Sequence, residues 1–191
     1  AGHQAAVIDA SSHGSHFRRL DRVRFAALVF TNLSQDHLDL HGTMEEYFQA
    51  KRRLFNGPLP PPAAVNVSDE SGRRLAADLA DLHRAPLLTF GLSDEAEIRP
   101  EVLRSTASGS RFRAAGIEIE TALRGAFNVE NVLGAVAAGI LLDVDENEIA
   151  RIELGQPARI RTEAFPDRTF EGVVSEIAPL GQRIQNVTYF E

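Results

Sequence analysis

The 191-residue sequence contains no cysteine, which excludes a disulfide framework, a thiolate metal site and a cysteine nucleophile. Its apolar runs fall well short of the roughly 18–20 residues that span a bilayer as a helix, so no membrane span is expected. Positive charge is in deficit: 20 Lys+Arg stand against 27 Asp+Glu, a net charge of −7. That balance argues against a general nucleic-acid-binding surface. The scarcest basic residue is lysine, since the 20 are 19 Arg and one Lys, Lys51. The start, AGHQAAVIDASSHG, has no initiator Met, no basic n-region and no apolar h-region, so no secretory signal is read. It enters the apolar run Ala5–Ile8 within a few residues and reads as a cut into a longer protein.

What is present suits one globular domain, or one domain plus a small appendage: 43% hydrophobic and 25% charged residues. Residues 4–10 read as a buried strand ending near Asp9, and 24–30 (RFAALVF) as a second strand covered on both faces. Thr43-Met-Glu-Glu46 is a capping box opening a helix to about Phe55, with Tyr47, Lys51 and Leu54 on one face. Asn56-Gly57-Pro58 stops that helix, and PLPPP is a stiff linker. A strand over 63–67, an amphipathic helix over 69–82 and a strand over 86–90 follow. Residues 97–123 read as two or three antiparallel strands with turn chemistry at 105–110. An apolar helix covers 128–142, and another begins at about 145. The expected fold class is α/β, a mostly parallel sheet with flanking helices, followed by a small antiparallel β appendage. The composition shift near residue 152 divides the chain into 1–152 and 153–191.

In open parallel sheets, ligands bind beyond the carboxyl ends of the strands. Two polar segments follow the first two expected strands, and between them lie Asp9, Ser11, Ser12, His13, Asn32, Asp36, His37, Asp39 and His41. Carboxylates with an imidazole at such a crevice suit a divalent cation. Mg²⁺ favours oxygen donors completed by phosphate, whereas His37, His41 and Asp9 suit Zn²⁺ better by type. Asp36 and Asp39 read equally well as turn and cap residues, and His41 as a solvated loop histidine.

The runs VIDASSHG, RFAALVFTNLSQDHLDLHGTMEEYFQAKRRLF, AAVNVSDESGRRL, TFGL and LRGAFNVENVLGAVAAG follow one another in order. Over about residues 1–150 they closely resemble the central domain of Mur ligases, specifically the type that adds the third amino acid to UDP-N-acetylmuramoyl-dipeptide in peptidoglycan synthesis. The resemblance implies an ATP-dependent ligase: ATP phosphorylates the terminal carboxylate of the nucleotide-peptide, and the incoming amine attacks the acyl phosphate. It implies that Lys51 is carbamylated by CO₂ and, with His37, holds Mg²⁺. Arginine is unable to serve here because its guanidinium stays protonated. Asp9 stands where the family usually has Glu, one methylene longer, so a water would fill the gap. Ser11 and Arg19 match positions that contact the UDP-muramoyl substrate, and Asn128 matches an asparagine near the adenine. Read without the family, Asn128 is a plain helix N-cap.

A glycine-rich P-loop, G-x-x-x-x-G-K-[ST], is not in the sequence. In the family it lies upstream of the strand matched by VIDASS, and the chain is read as a fragment inactive alone, without that cradle or the family's flanking domains. The tail run GQPARI…FPDRTFEGVVSEIAP resembles the β-barrel region of periplasmic adaptor (membrane fusion) subunits. The family's enzymes are cytoplasmic and the adaptors periplasmic, so the whole reads as a hybrid. The rival expectation is a non-catalytic interaction module whose β tail pairs with a partner chain through open strand edges.

Overall fold

The computed structural model describes residues 7–34, 41–82, 84–106 and 108–144, and the backbone of four short strands within 157–189. Three parallel strands form the centre: β1 (Leu28–Phe30), β2 (Ala63–Asn66) and β3 (Leu87–Phe90), in the order β1-β2-β3. Helix α1 (Ser12–His16) precedes β1, α2 (Met44–Phe55) joins β1 to β2, and α3 (Glu70–Leu82) joins β2 to β3. An antiparallel sheet of β4 (Leu103–Thr106), β5 (Gly109–Ala114) and β6 (Ile117–Thr121) follows, then α4 (Ala126–Leu141). The α/β class with a mostly parallel central sheet is therefore as expected.

The sheet buries both faces, and its period of two sorts the side chains between them. Leu28, Phe30, Ala63 and Val65 join Phe48 and Phe55 of α2 and Leu75 of α3 in one cluster. Ala64 and Phe90 face the other way, into a cluster with Phe112, Ile119, Val129 and Leu133. Helix α4 lies so close to that face that a Cβ on Gly134 would stand 2.9 Å from the Phe90 ring and 3.3 Å from Val29. The β4–β6 sheet turns Phe112 and Ile119 inward, while Arg111 pairs with Glu120 at 2.6 Å on the outer side.

Local chemistry explains the element ends. Thr43 caps α2, its Oγ1 accepting from the Glu46 amide at 3.2 Å and donating to the Glu46 carboxylate at 3.3 Å. The reciprocal half of the capping box does not form, because the Thr43 amide donates to the His41 carbonyl at 2.8 Å instead. Asp69 caps α3 by accepting from the Gly72 amide at 2.7 Å. The expected strand over 24–30 shortens to Leu28–Phe30 because its ladder starts only where Ala63 of β2 lies opposite Leu28.

The expected strand over 4–10 is not found in its described part. Residues 7–10 have no strand structure, Val7 is 103% exposed and Ile8 53% exposed. Apolar sequence alone does not make a strand; it needs a ladder partner, and residues 7–10 have none in the β1-β2-β3 order. Residues 1–6 and the helix expected from 145 lie outside the described residues.

In the tail, β7 (Pro157–Ile160) pairs antiparallel with β8 (Phe170–Val173), and β9 (Gln182–Ile184) with β10 (Val187–Tyr189). Among the described residues the antiparallel β appendage consists of these two two-stranded ladders. Among the described residues, no helix is long and apolar enough to cross a membrane.

Helices α2 and α3 are clamped by Arg74, whose guanidinium meets the Glu45 carboxylate at 2.6 and 2.8 Å and lies 4.3 Å over the Phe48 ring. The Arg74 hydrogen bonds, helped by the Gln49 amide, hold the Glu45 carboxyl down at about 2 from its ordinary 4.5. A depressed carboxylate stabilises the fold above its unfolded value, and that contribution is lost as pH falls from 4.5 towards 2. Glu45→Gln should therefore lose less stability than the parent over this window, as read by urea unfolding at a series of pH values. Parallel loss in both proteins would show that the clamp carries no acid sensitivity.

Candidate functional site

The carboxyl ends of the three strands are stitched by polar groups that arise where β2 leaves the core. Asn66, the last residue of β2, is 2% exposed. Its Nδ2 donates to the Thr31 carbonyl just past β1 at 2.8 Å, and its Oδ1 accepts from the Ser68 amide at 3.0 Å. Ser68 Oγ accepts from the Leu92 amide beyond β3 at 3.1 Å, and Asp69 Oδ2 accepts from the Leu33 amide at 3.4 Å. Gly91 makes this crossing possible: its φ is +146°, and a Cβ there would stand 2.5 Å from Ser68 Oγ and 2.7 Å from Asn66 Oδ1. Reading the sequence for chemistry missed this Asn66-Ser68-Asp69 network. Its signal was a polar residue closing an apolar strand, AAVN, followed by Ser and Asp.

Lys51 reaches the same rim from the middle of α2. Its Nζ donates to the Asn32 carbonyl at 3.3 Å, two residues past β1. Two aromatic rings flank the amine, with Nζ 5.2 Å from the Tyr47 centroid and 5.9 Å from that of Phe30, within cation–π range. The i, i+4 spacing of Tyr47 and Lys51 on α2 is what brings them together.

Helix α1 packs beside α2. Ser15 is fully buried and its Oγ donates to the carbonyl of Ala50, the residue before Lys51. Arg53 pairs with Asp21 in the segment after α1. Ser11 is the N-cap of α1, its Oγ accepting from the Gly14 amide at 3.1 Å. At the other end, the Arg18 amide donates to Ser15 O at 3.0 Å and the Arg19 amide to Gly14 O at 2.9 Å, a Schellman stop. Arg18 takes its left-handed position at φ 59°, where glycine is usual, at a cost of about 1 kcal/mol. The exposed Arg19 guanidinium lies 5.6 Å over the Phe17 ring. A cleft of about 430 Å³ opens between α1 and α2, lined among others by His16, His41, Glu45 and Arg53.

Other expected site residues fall elsewhere. Asp9 is exposed in the irregular segment before α1, its carbonyl accepting from the Ser11 amide at 3.2 Å. Asp36, His37 and Asp39 lie outside the described residues. His41 is not a solvated loop histidine: it is 4% exposed, stacked on Tyr47 with centroids 5.1 Å apart and planes at 14°. Burial against α1 and α2 removes it from water. Nor is Asn128 an N-cap. Gly125, at φ 88°, holds that position, and Asn128 is the third helical residue of α4, donating from Nδ2 back to the Arg124 carbonyl at 2.8 Å. Gly125 has no side chain with which to cap α4, so the first amides of the helix have no acceptor from their N-cap residue. Among the described residues, no group of three His, Cys, Asp or Glu stands together as a metal site.

Residues 1–139 match the family model described as the Mur ligase middle domain, and residues 140–184 match that of the CusB-like β-barrel domain. The border between these matches falls within α4, whose Val136, Ala137 and Leu141 still pack on the first core. UDP-N-acetylmuramoyl-L-alanyl-D-glutamate--2,6-diaminopimelate ligase from Geobacter metallireducens is 42% identical over 159 residues, covering 78% of this chain and 30% of that protein. The ligase of the same name from Chromobacterium violaceum is 36% identical over 208 residues, covering 96% of this chain and 41% of the relative. A solved structure of a ligase of that name superposes with a TM-score of 0.67 at 30% identity, over 85% of this chain and 35% of its own. The chain thus spans about a third of the length of the relatives it matches.

The Asn66 stitch is directly testable. Asn66→Ala removes the donor to Thr31 and the acceptor for Ser68, an expected cost of about 1–2 kcal/mol, read as a lower urea midpoint at unchanged slope. A midpoint equal to the parent's would mean that the strand ends are held by the ladder alone.

Proposed function

The chain belongs to the Mur ligase family, and we propose that it provides the central part of an ATP-dependent ligase of peptidoglycan precursor synthesis. The proposed substrates are ATP, a UDP-N-acetylmuramoyl-peptide and an amino acid, with 2,6-diaminopimelate favoured by the names of the relatives. A cytoplasmic location goes with this reading. The observation that carries it is the only lysine of the chain, its amine held at the carboxyl end of β1 beside the Asn32 carbonyl. That is the edge at which open parallel sheets bind ligands.

Within this reading, Arg19 offers a planar, bidentate donor to an anionic substrate group, and Ser11 lies at the opposite end of α1 from it. The open first turn of α4 favours the negative charge of a nucleotide, with Asn128 in that turn. The Lys51 amine, as a donor to Asn32, is not itself a metal ligand. A CO₂-derived carbamate on that amine would supply the oxygen donors Mg²⁺ favours, with His37 and Asp9 as the further ligands that the family resemblance implies. A cation bound there supplies charge neutralisation at the transferring phosphoryl oxygens. Lys51 otherwise serves to orient substrate and cation at the strand ends, and the rim network of Asn66 and Ser68 keeps those ends in register. On the same reading the chain is a fragment of the ligase, with no turnover by itself, because its sequence holds no phosphate-cradling P-loop.

Carbon-13 NMR in labelled bicarbonate should show one carbamate carbon on the parent protein, and Lys51→Arg should abolish it together with Mg²⁺-dependent ATP binding. ATP and Mg²⁺ binding unaffected by Lys51→Arg would overturn the carry-over of the family mechanism.

A second reading, an interaction module, is favoured by one feature of the tail. The β7–β8 and β9–β10 ladders have two strands each, and isolated two-stranded ladders are marginal in water. Pairing with a partner's strands would complete them. Sedimentation should then show a concentration-dependent assembly that is lost when residues 153–191 are deleted; an unchanged monomer with and without them would exclude the tail as an interface.

A further inference from the structure

We propose that His41 is a positioning residue that fixes the Lys51 amine through the ring of Tyr47. The inference rests on Lys51 being the functional amine of the proposed ligase site. His41 is tied to the start of α2, its carbonyl accepting from the Thr43 amide at 2.8 Å. Its imidazole lies flat on Tyr47, centroids 5.1 Å apart. The rings of His16 and His13, both in α1, meet it edge-on at 5.6 and 6.1 Å. Tyr47 is itself 5% exposed, and its ring is the nearer of the two that hold Lys51 Nζ.

This arrangement is a relay of contacts from α1 to His41, to Tyr47 and to the amine. A planar neighbour in stacking contact sets the tilt of the Tyr47 ring. A cation held by the face of that ring then follows its tilt. The relay begins on the helix that has Ser11 at one end and Arg19 just past the other, so α1 and Lys51 keep one spacing. The direct link from Ser15 to Ala50 keeps the two helices together, and the ring stack carries on to the amine itself.

The alternative is that His41 only fills space, in which case an aliphatic side chain of similar size would serve as well. The single lysine separates the two. Labelling with carbon-13 lysine gives one side-chain signal, and an ε-methylene beside an aromatic face is shifted upfield by the ring current. In CO₂-free buffer the parent protein and His41→Phe, which keeps a flat ring, should both show the upfield signal. His41→Leu should lose most of that shift, as should Tyr47→Leu. Were His41→Leu to unfold, His41→Gln removes the ring while keeping a polar group, and should lose the shift in the same way. A Lys51 signal that stays in place when the ring is removed, or that His41→Phe displaces as far as His41→Leu does, overturns the proposal. No nucleotide, metal or carbamate enters this measurement, so its failure and the failure of the ligase reading are distinguishable.

Discussion

The structure depends on the double burial of β2. Ala63, Ala64, Val65 and Asn66 are all inaccessible, and their alternation feeds two separate hydrophobic clusters. A strand buried on both faces has no solvent side on which to place a polar residue, so its polarity is pushed to its ends. At the carboxyl end that polarity is Asn66. Its side chain reaches to the segment past β1 and closes on Ser68, whose hydroxyl reaches the segment past β3. The rim on which the proposed chemistry stands is thus a consequence of how the core ends. A buried amide with both its donor and its acceptor engaged also specifies strand order in a way that apolar packing does not.

The two faces of the sheet have different work. One is covered by α2 and α3, which the Arg74–Glu45 pair and the Arg52–Asp78 pair at 2.7 Å hold side by side. Those pairs are only partly shielded from water and individually modest in energy. They matter because α2 carries Lys51, and the spacing of α2 from its neighbours sets where that amine emerges. The other face is covered by α4, which approaches closely enough to need glycine at Gly134. The same helix presents an uncapped first turn near the end of the β6 sheet strand. The elements that close the core therefore also carry the groups proposed to act.

Where the controlling interactions are local, the sequence was enough. The Thr43 cap on the Glu46 amide needs only residues three apart, and the β4–β5 turn needs only Thr106 to Gly109. Helix start and turn both formed as read, though the Thr43 amide turns to His41 and leaves the capping box half made. The strands over 63–67 and 86–90 were legible because an apolar run buried on both faces has few alternatives. The failures are all cases of a partner invisible in one dimension. Val7 and Ile8 are as apolar as Val65, yet they lie in water because no ladder receives them. Asn128 has the chemistry of an N-cap, but Gly125 at positive φ takes that position and the asparagine turns back to Arg124. His41 looked like a solvated loop residue because nothing local says that α1 will pack over it.

His41 also shows why a candidate site is harder to read than a fold. The family resemblance draws attention to His37 and Lys51, fourteen residues apart, as groups of evident chemistry. Such a list says which groups act and leaves open what holds them. Lys51 has a flexible four-carbon stem, and an unrestrained lysine on a helix flank samples many rotamers at a cost of up to about 2 kcal/mol to fix one. Restraint here comes from a carbonyl past β1 and from two rings, and one of those rings is itself held by a buried imidazole. Each of these contacts is weak. Together they act on one amine, the carbonyl and one ring coming from β1 and the segment past it, the other ring from α2. A group whose role depends on reaching a defined point needs support from more than one direction. The Asn32 carbonyl and the faces of the Phe30 and Tyr47 rings give that support, placing the amine at the carboxyl end of β1.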